Sequence, residues 1–182
     1  MGLLHLLGIK AACPDAKVLL IDPSSNRCAL AAELGADKTA APGDNALNAA
    51  SSMTDGYGVD AVFDTMGGAR LLEAGLALSR QGGSVILFAH APNGQCADFD
   101  LNNLFRYERR VLGTYSGAIS EQAAVFALIA SGRLNPTPVV SHTLPLDDFA
   151  LGYSLAKDRK ALKILFTPSR AASFSCPLSP KQ

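Results

Sequence analysis

Short apolar runs alternate with segments of helical periodicity along most of the chain. The apolar runs at residues 18–21, 59–64, 84–89 and 110–115 predict strands, and a further short strand is predicted at residues 37–40. The segments with apolar residues at helical spacing lie before residue 13 and at residues 26–34, 46–53, 71–78, 101–107 and 121–131. Turn signals separate these elements: Gly82-Gly83 precedes the fourth strand, and Ser120 is the predicted cap of the last helix.

Strands that alternate with helices predict an α/β fold with a doubly wound parallel sheet and right-handed crossovers. Beyond Gly132 the pattern changes to a strand at 139–145, an amphipathic helix at 146–157 capped by Asp147-Asp148, and a last strand at 162–166. The tail at residues 169–182 is rich in Ser, Ala and Pro and lacks periodicity. We therefore expect the tail to be disordered.

The first helix and the first strand have the spacing of half a dinucleotide-binding motif. In a βαβ unit of that kind, a helix N-terminus meets the pyrophosphate, and an acidic residue about 20 positions later accepts the ribose hydroxyls. Gly2 begins the helix and Asp22 ends the strand, so this pair has the required spacing. The strand and the glycines that precede the helix in the complete motif do not occur in this sequence.

Composition favours a folded domain with a small-molecule ligand. The 182 residues are 48% hydrophobic with a mean hydropathy of +0.18, and 16 Lys and Arg balance 16 Asp and Glu without a basic run. We therefore expect neither nucleic acid nor a membrane surface as a partner. No apolar run is long enough for a membrane span, and position 6 is Leu where a myristoylation motif needs Ser or Thr.

The cysteines and histidines are scattered along the chain. Cys13, Cys28, Cys96 and Cys176 form no C-x-x-C pair, which is typical of reduced structural thiols in a cytoplasmic protein. His5, His90 and His142 are isolated, and we assign them no role in proton transfer or metal binding. We therefore expect no metal site and no catalytic residue in this chain.

Six segments in order resemble a known family. They are MGLLHLLGIKAA, VLLIDPSSNRCALAAELGAD, VDAVFDTMGG, GGSVILFAHAP, LFRYERRVLGTYSG and HTLPLDDFALGYSLAKDRKALKILFTP. Together they resemble the C-terminal, nucleotide-binding half of a zinc-dependent medium-chain alcohol or polyol dehydrogenase of the sorbitol and threonine dehydrogenase kind. The resemblance implies a Rossmann-like sheet without its first strand at residues 1–135, and a segment at 136–168 that completes the catalytic domain in the family.

The resemblance also assigns coenzyme contacts to residues of this chain. Gly2 and Leu3 match the turn at the pyrophosphate, where a side chain on Gly2 is expected to block close packing. Asp22 matches the acid that binds the ribose, which favours NAD over NADP, and Arg27 matches a basic residue beside the adenosine. The remaining matches are Thr65 and Met66 at the nicotinamide ribose, Leu87, Phe88, Ala89, Gly113, Thr114 and Tyr115 near the carboxamide, and Lys163 toward the pyrophosphate.

The charged residues of this set have alternative interpretations, and so does Asp64, which the resemblance does not assign. Asp22 could be a residue of the turn before the next helix, although the cap supplied by Pro23-Ser24-Ser25 leaves it no obvious structural duty. Asp64, at the tip of another strand, could be a second site acid or the cap of the turn that follows. Arg27 and Lys163 could be solvated charges on a helix and on a strand.

The resemblance implies that parts of the full-length enzyme are missing here. The zinc ligands belong to an N-terminal catalytic domain in the family, and the absence of the first strand leaves the strands at 18–21 and 59–64 each without a neighbour on one side. We expect marginal folding in isolation, an exposed apolar face on residues 139–166, and a mis-assigned start codon or a truncated gene.

Two functions follow from the sequence. In the first, the chain is the NAD(H)-binding part of a zinc-dependent oxidoreductase that transfers hydride from the CH–OH group of an alcohol or polyol, and it is inactive alone. In the second, it is a non-catalytic module that binds a dinucleotide or self-associates as a homodimer through the edge strand at 110–115. The substrate is not encoded in these residues, because the family shapes its pocket mainly with the other domain.

Overall fold

The computed structural model describes residues 1–168, and the predicted disordered tail at 169–182 lies outside them. The chain divides into two compact units, Met1–Leu134 and Asn135–Gln182. The sequence pattern changes near this boundary, at Gly132. None of the helices within residues 1–168 is long and apolar enough to cross a membrane.

The first unit alternates helices and strands, as the sequence predicts. In chain order its elements are α1 (Gly2–Ala12), β1 (Leu19–Ile21), α2 (Ser25–Glu33), β2 (Lys38–Ala40), α3 (Asp44–Met53), β3 (Val59–Asp64), α4 (Ala69–Leu78), β4 (Ser79–Leu87), α5 (Asn102–Phe105), β5 (Arg110–Gly113) and α6 (Ile119–Ala130).

The strands of this unit form two separate parallel sheets. β1 pairs with β2, and β3, β4 and β5 pair in that order. The register places Asp64 beside Leu87 and Leu87 beside Gly113, so the strands of the larger sheet end together. Among the described strands, β1 and β3 each have a partner on one side only.

Helices α3 and α4 pack apolar side chains against these strands. Ala46, Ala50 and Leu78 form a buried cluster that contacts partly buried residues of β1 and β3. A second cluster of Leu72, Leu76 and Val85 fixes α4 on the larger sheet. The first of these clusters contacts both sheets, which are not joined by hydrogen bonds between β1 and β3.

Several predicted boundaries in the first unit differ from the structure: β4 ends at Leu87 and β5 at Gly113, each two residues early, and two predicted starts are wrong. The fourth strand begins at Ser79 and not after Gly82-Gly83, because α4 passes directly into a strand whose register jumps from Val59–Ser79 to Ala61–Ser84. The residues between these pairs bulge out of the ladder, with Gly82 at φ +70°. Helix α6 begins at Ile119, and the side chain of Glu121, not that of Ser120, reaches back to accept the N–H of Ala118 at 2.7 Å.

The second unit is a strand, helix and strand that follow a 3₁₀ turn at Thr137–Val139. β6 (Val140–Pro145) pairs in parallel with β7 (Lys163–Thr167), and α7 (Phe149–Lys157) connects them. Asp147-Asp148 lies in a 3₁₀ turn at Leu146–Asp148, and Asp148 is the N-cap residue of α7, as predicted, but its side chain makes no capping hydrogen bond. Leu146, Phe149, Leu151, Tyr153 and Leu165 are all more than half exposed, in agreement with the expected apolar face.

An ion pair fastens the connection between α1 and β1. Lys10 Nζ contacts Asp37 Oδ2 at 2.8 Å and also donates to the carbonyl of Ala16, while the same carboxylate accepts the N–H of Val18 at 2.7 Å. The hydrogen bond from Lys10, followed by that from Val18, holds the pKa of Asp37 below its usual value of 3.8. A carboxylate with a lowered pKa stabilises the fold above its unfolded pKa, and that contribution is lost as the pH falls through the folded pKa.

We expect Asp37→Asn to lower the free energy of unfolding by less than about 1 kcal/mol at pH 7, because the side chain of Asp37 is 38% exposed and water screens the pair. The difference from the unchanged chain should vanish as the pH falls below 3.8 and through the lowered pKa of Asp37. Urea denaturation at a series of pH values measures this difference in the free energy of unfolding. Asp98→Asn, in an exposed loop, is the control. A difference that persists after Asp37 is protonated would contradict the electrostatic origin.

Candidate coenzyme-binding site

The residues that the family resemblance assigns to the first unit follow the ends of its strands. Thr65 and Met66 follow β3, Phe88 and Ala89 follow β4, and Thr114 and Tyr115 follow β5. Because Asp64, Leu87 and Gly113 are in register, these residues lie at one edge of the larger sheet. The carboxyl edge is where open α/β sheets bind ligands.

The contacts of helix α1 show that the end of β1 lies at the same edge. A Cβ built on Gly2 would lie 3.7 Å from Thr65 Oγ1 and 3.9 Å from Leu20 Cδ1, so the helix begins near the carboxyl ends of β3 and β1. At its other end, Lys10 contacts Asp37, which accepts the N–H of Val18 just before β1. Helix α1 therefore runs opposite to both strands, and Asp22 follows β1 on the side where α1 begins.

The first turn of α1 offers N–H groups that the helix itself does not use. The N–H groups of Leu4 and His5 donate to the carbonyl of Met1, and those of Gly2 and Leu3 precede the first such bond. The helix dipole makes this end attractive to a phosphate. Leu3 is a buried residue, so its side chain is not available to a ligand.

The structure does not support the steric reason for glycine at position 2. A Cβ at Gly2 would meet Thr65 and Leu20 at ordinary van der Waals distances. Within the described residues, an alanine side chain therefore fits at this position. The match of Gly2 to the pyrophosphate turn stays a prediction that rests on its N–H group.

Asp22 forms a local structure that the sequence interpretation did not give it. Its Oδ1 accepts the N–H of Ser24 at 2.8 Å, and its Oδ2 contacts Arg27 Nη1 at 3.2 Å. The statement that Asp22 has no structural duty is therefore wrong, and Arg27 is an ion-pair partner rather than a solvated charge. The predicted cap is confirmed, because Ser24 Oγ accepts the N–H of Arg27.

This local structure leaves Asp22 able to bind a diol. A carboxylate has two oxygens with about four lone-pair directions in all, and the protein bonds use one direction on each oxygen. The side chain of Asp22 is 21% exposed, so it is held in place and still reaches solvent. Two vicinal hydroxyls, such as those of a ribose, match the remaining acceptor directions.

Asp64 is the cap of the turn after β3. It is buried, and its Oδ1 accepts the N–H groups of Met66 at 2.9 Å and Gly67 at 2.8 Å. This contact pattern agrees with the turn-cap interpretation of Asp64. Its second carboxylate oxygen is buried without a hydrogen-bond partner in the part of the chain that the structure describes.

Several backbone groups assigned to the carboxamide already have partners in the sheet. The N–H groups of Phe88 and Ala89 donate to the carbonyl of Asp64, and the carbonyl of Leu87 accepts both the N–H and the hydroxyl of Thr114. A ligand at this edge would have to bind other atoms of these residues or displace those bonds. Met66, Phe88 and Tyr115 are exposed there and present apolar surface.

Two residues at this edge were not singled out from the sequence. The ring of His90 contacts that of Tyr115 edge-on, with centroids 5.6 Å apart. Gly67 has φ +80°, and a Cβ on it would clash with the carbonyl oxygen of His90, so this glycine lets the loops after β3 and β4 meet. The pair Gly67-Gly68 directly after a strand was the signal that could have identified this contact.

Lys163 belongs to the second unit. It begins β7, is exposed, and accepts a hydrogen bond from Ser141 Oγ on its carbonyl at 3.2 Å. Its predicted orientation toward a pyrophosphate stays a prediction.

A cleft separates the two sheets of the first unit. It has a volume of about 660 Å³ and is lined by residues of α1, β1 and β3, including Leu6, Ile9 and Val62. We call it the β1–β3 cleft. It lies between the strands, and its lining also includes Gly2 and Thr65, two of the assigned coenzyme contacts.

The described residues do not fit a zinc site. Across residues 1–168, no group of three or more His, Cys, Asp or Glu side chains is placed to hold a metal ion. Cys13, Cys28 and Cys96 are free thiols. The zinc that the resemblance implies therefore has no ligand set in this part of the chain.

Comparisons with known proteins define the class. Residues 2–131 match the zinc-binding dehydrogenase family, so the chain belongs to that family. It is 31% identical over 175 residues to L-threonine 3-dehydrogenase of Thermococcus kodakarensis, and the match covers 93% of this chain and 49% of that enzyme. The chain thus spans about half the length of such relatives.

Solved structures agree on the fold. Alcohol dehydrogenase TADH from Thermus sp. ATN1 superposes with a TM-score of 0.82 at 33% identity, covering 92% of this chain and 49% of that one. The NADH complex of the rspB alcohol dehydrogenase from E. coli CFT073 superposes with a TM-score of 0.80 at 17% identity over 91% of this chain and 48% of that one, and this likeness concerns the fold alone. The predicted Rossmann-like class is confirmed.

Gly67→Ala should destabilise the first unit by several kcal/mol for two reasons. The new methyl group clashes with the carbonyl of His90, and a positive φ is itself unfavourable for alanine. Gly94→Ala is the matched control, since Gly94 has φ +76° with open space around it. We expect that control to lose about 1–2 kcal/mol. Urea denaturation of both variants compares them, and equal losses would contradict the close contact of the two loops.

Proposed function

We propose that residues 1–134 form the NAD(H)-binding part of a zinc-dependent dehydrogenase that acts on the CH–OH group of an alcohol or polyol. The observation that carries this proposal is the position of Asp22: it follows β1 on the side where the N-terminus of α1 lies. An anion-binding helix end and a fixed diol acceptor at one sheet edge are the two elements that a dinucleotide needs. Family membership supports this assignment.

Each assigned residue has a definite task in this proposal. The N–H groups of Gly2 and Leu3 bind the pyrophosphate, and Asp22 accepts hydrogen bonds from the adenosine ribose. Thr65 and Met66 adjoin the nicotinamide ribose, while Phe88 and Tyr115 shield the ring from water with exposed apolar surface. The coenzyme supplies the hydride acceptor, and the residues of this chain bind and orient it.

Asp22 and Arg27 together favour NAD over NADP. The carboxylate of Asp22 repels a 2′-phosphate, and Arg27, which could attract one, is engaged with Asp22 at 3.2 Å. Neutralisation of the guanidinium by its partner weakens its attraction for a phosphate. We therefore infer a preference for NAD that the ion pair maintains.

The remaining parts of the proposal concern the whole protein. The second unit, with its exposed apolar side chains, completes a catalytic domain, and Lys163 reaches the pyrophosphate in that assembly. The substrate is a secondary alcohol or polyol, of which the L-threonine named for the relatives is one example. The exposed free thiols Cys13 and Cys96 fit a reducing, cytoplasmic compartment.

A non-catalytic module is the second candidate. The outer edge of β5 has no partner among the described strands, and Leu112 is 47% and Tyr115 83% exposed there. An open edge with apolar side chains favours pairing with a second copy. In this alternative the chain binds a dinucleotide, or associates as a homodimer through residues 110–115, without turnover.

Asp22→Asn should weaken NAD⁺ binding about tenfold and affect NADP⁺ less, because it removes a charged acceptor of the ribose hydroxyls and a charge that repels the 2′-phosphate. Calorimetry on the full chain measures both affinities. Asp60→Asn is the matched control, since Asp60 also pairs with an arginine, Arg80, but lies at the amino end of β3. Unchanged NAD⁺ affinity in folded Asp22→Asn would refute the assignment.

The full chain alone should bind NAD⁺ but form no NADH from L-threonine or a polyol, because the described residues hold no zinc ligand set. Absorbance of NADH measures turnover, and sedimentation velocity on the same sample measures dimer formation. Turnover by this chain would contradict the proposed division of labour. A dimer that binds NAD⁺ without turnover would favour the second candidate.

A further inference from the structure

Asp64, the last residue of β3, has a buried carboxylate with one satisfied and one unsatisfied oxygen. The residue is 6% exposed, and its Oδ1 accepts the N–H groups of Met66 and Gly67. Its Oδ2 is buried and has no hydrogen-bond partner within residues 1–168. Folded proteins rarely leave a buried polar oxygen without a partner, so this oxygen needs an explanation.

The turn cap explains one oxygen of Asp64 but not its charge. The two N–H groups need only an acceptor, and the amide oxygen of an asparagine would serve them as well. The four ion pairs among the described residues use other carboxylates, namely those of Asp22, Asp37, Asp60 and Asp158. Asp64 therefore has no cationic side chain as its partner in that part of the chain. A buried charge without a counter-charge is unfavourable, and the turn alone gives no reason for it.

Asp64 lies between the two loops that are assigned to the nicotinamide end of the coenzyme. Thr65 and Met66 follow it directly, and its carbonyl accepts the N–H groups of Phe88 at 3.0 Å and Ala89 at 3.2 Å. One residue therefore contacts both loops, the first through its side chain and the second through its backbone. In the proposed function, the nicotinamide and its ribose lie against these loops, so the ring comes close to the carboxylate.

The nicotinamide ring is the part of the coenzyme whose charge changes in the proposed reaction. The ring of NAD⁺ carries one positive charge. When the alcohol gives a hydride to the ring and a proton to solvent, the alcohol becomes a carbonyl compound and the ring of NADH is neutral. A carboxylate near the ring therefore attracts the oxidised coenzyme more strongly than the reduced one.

We propose that the carboxylate of Asp64 is the counter-charge of the oxidised nicotinamide and shifts the preference of the site toward NAD⁺ over NADH. This inference rests on the proposed function and adds a determinant of its redox preference. Because Oδ2 is buried, the carboxylate acts through space and not through a hydrogen bond to the coenzyme. Burial also means that its attraction for the ring is screened less than that of an exposed charge. Reduction removes the attraction, which favours release of NADH.

The test compares three ligands by calorimetry on the full chain: NAD⁺, NADH and ADP-ribose, which lacks the nicotinamide. Asp64→Asn keeps an acceptor for the N–H groups of Met66 and Gly67 and removes the charge. We expect the variant to bind NAD⁺ about tenfold more weakly, and to bind NADH and ADP-ribose within about twofold of the unchanged chain. A purely structural role of Asp64 would instead weaken the binding of all three ligands alike, and that result would overturn the proposal.

Two further variants complete the comparison. Asp60→Asn is the matched control, because Asp60 lies near the amino end of the same strand and its side chain is 84% exposed. This control should leave the ratio of the NAD⁺ and NADH affinities unchanged, and an equal shift of the ratio in Asp60→Asn would overturn the proposal. Asp64→Ser, a smaller neutral acceptor, takes the place of Asp64→Asn if circular dichroism shows that the asparagine variant does not fold.

The same measurements distinguish failure of this inference from failure of the proposed function. If the unchanged chain binds all three ligands and a folded neutral variant of Asp64 keeps the same ratio of NAD⁺ and NADH affinities, this inference is overturned and the coenzyme assignment stands. If the unchanged chain binds none of the three ligands, the proposed function fails and this inference fails with it.

Discussion

Buried backbone N–H and carbonyl groups need hydrogen-bond partners, and this requirement dominates the first unit. β1 and β3 satisfy it on one side each, through β2 and β4. Contacts of helices with both sheets, above all through Ala46, Ala50 and Leu78, keep the two sheets within one compact unit. Apolar packing thus holds the two sheets together, although hydrogen bonds do not join β1 to β3. The β1–β3 cleft lies between these two strands.

The candidate site depends on the same arrangement, because α1 contacts both sheets. Its first turn lies near Leu20 of β1 and Thr65 after β3, and its last turn is tied by Lys10 to Asp37. The helix therefore determines how far the diol acceptor Asp22 lies from the loops after β3. Any change in the separation of the two sheets moves these two halves of the candidate site relative to each other.

Periodicity and turn signals identified nearly every element of the fold, and the structure shows where such signals fail. Apolar runs located β1, β3 and β5, although only Leu20 and Asp64 of these three strands are buried. The glycines before the fourth strand indicated a turn but form a bulge, since the pairing of Ser79 with Val59 extends the strand through them. That pairing joins residues distant in sequence, so no local pattern could reveal it.

Side-chain partners set a further limit on prediction. Ser120 and Glu121 are both plausible helix starters by type, and only the geometry shows that the longer side chain reaches the N–H of Ala118. For Asp22, spacing alone indicated an acid that follows β1, and it could not show the bonds to Ser24 and Arg27. These bonds hold the carboxylate in one orientation while about two acceptor directions stay open. A residue with a structural duty can therefore also be the residue that a ligand needs, because the turn that it stabilises is what keeps its oxygens in place.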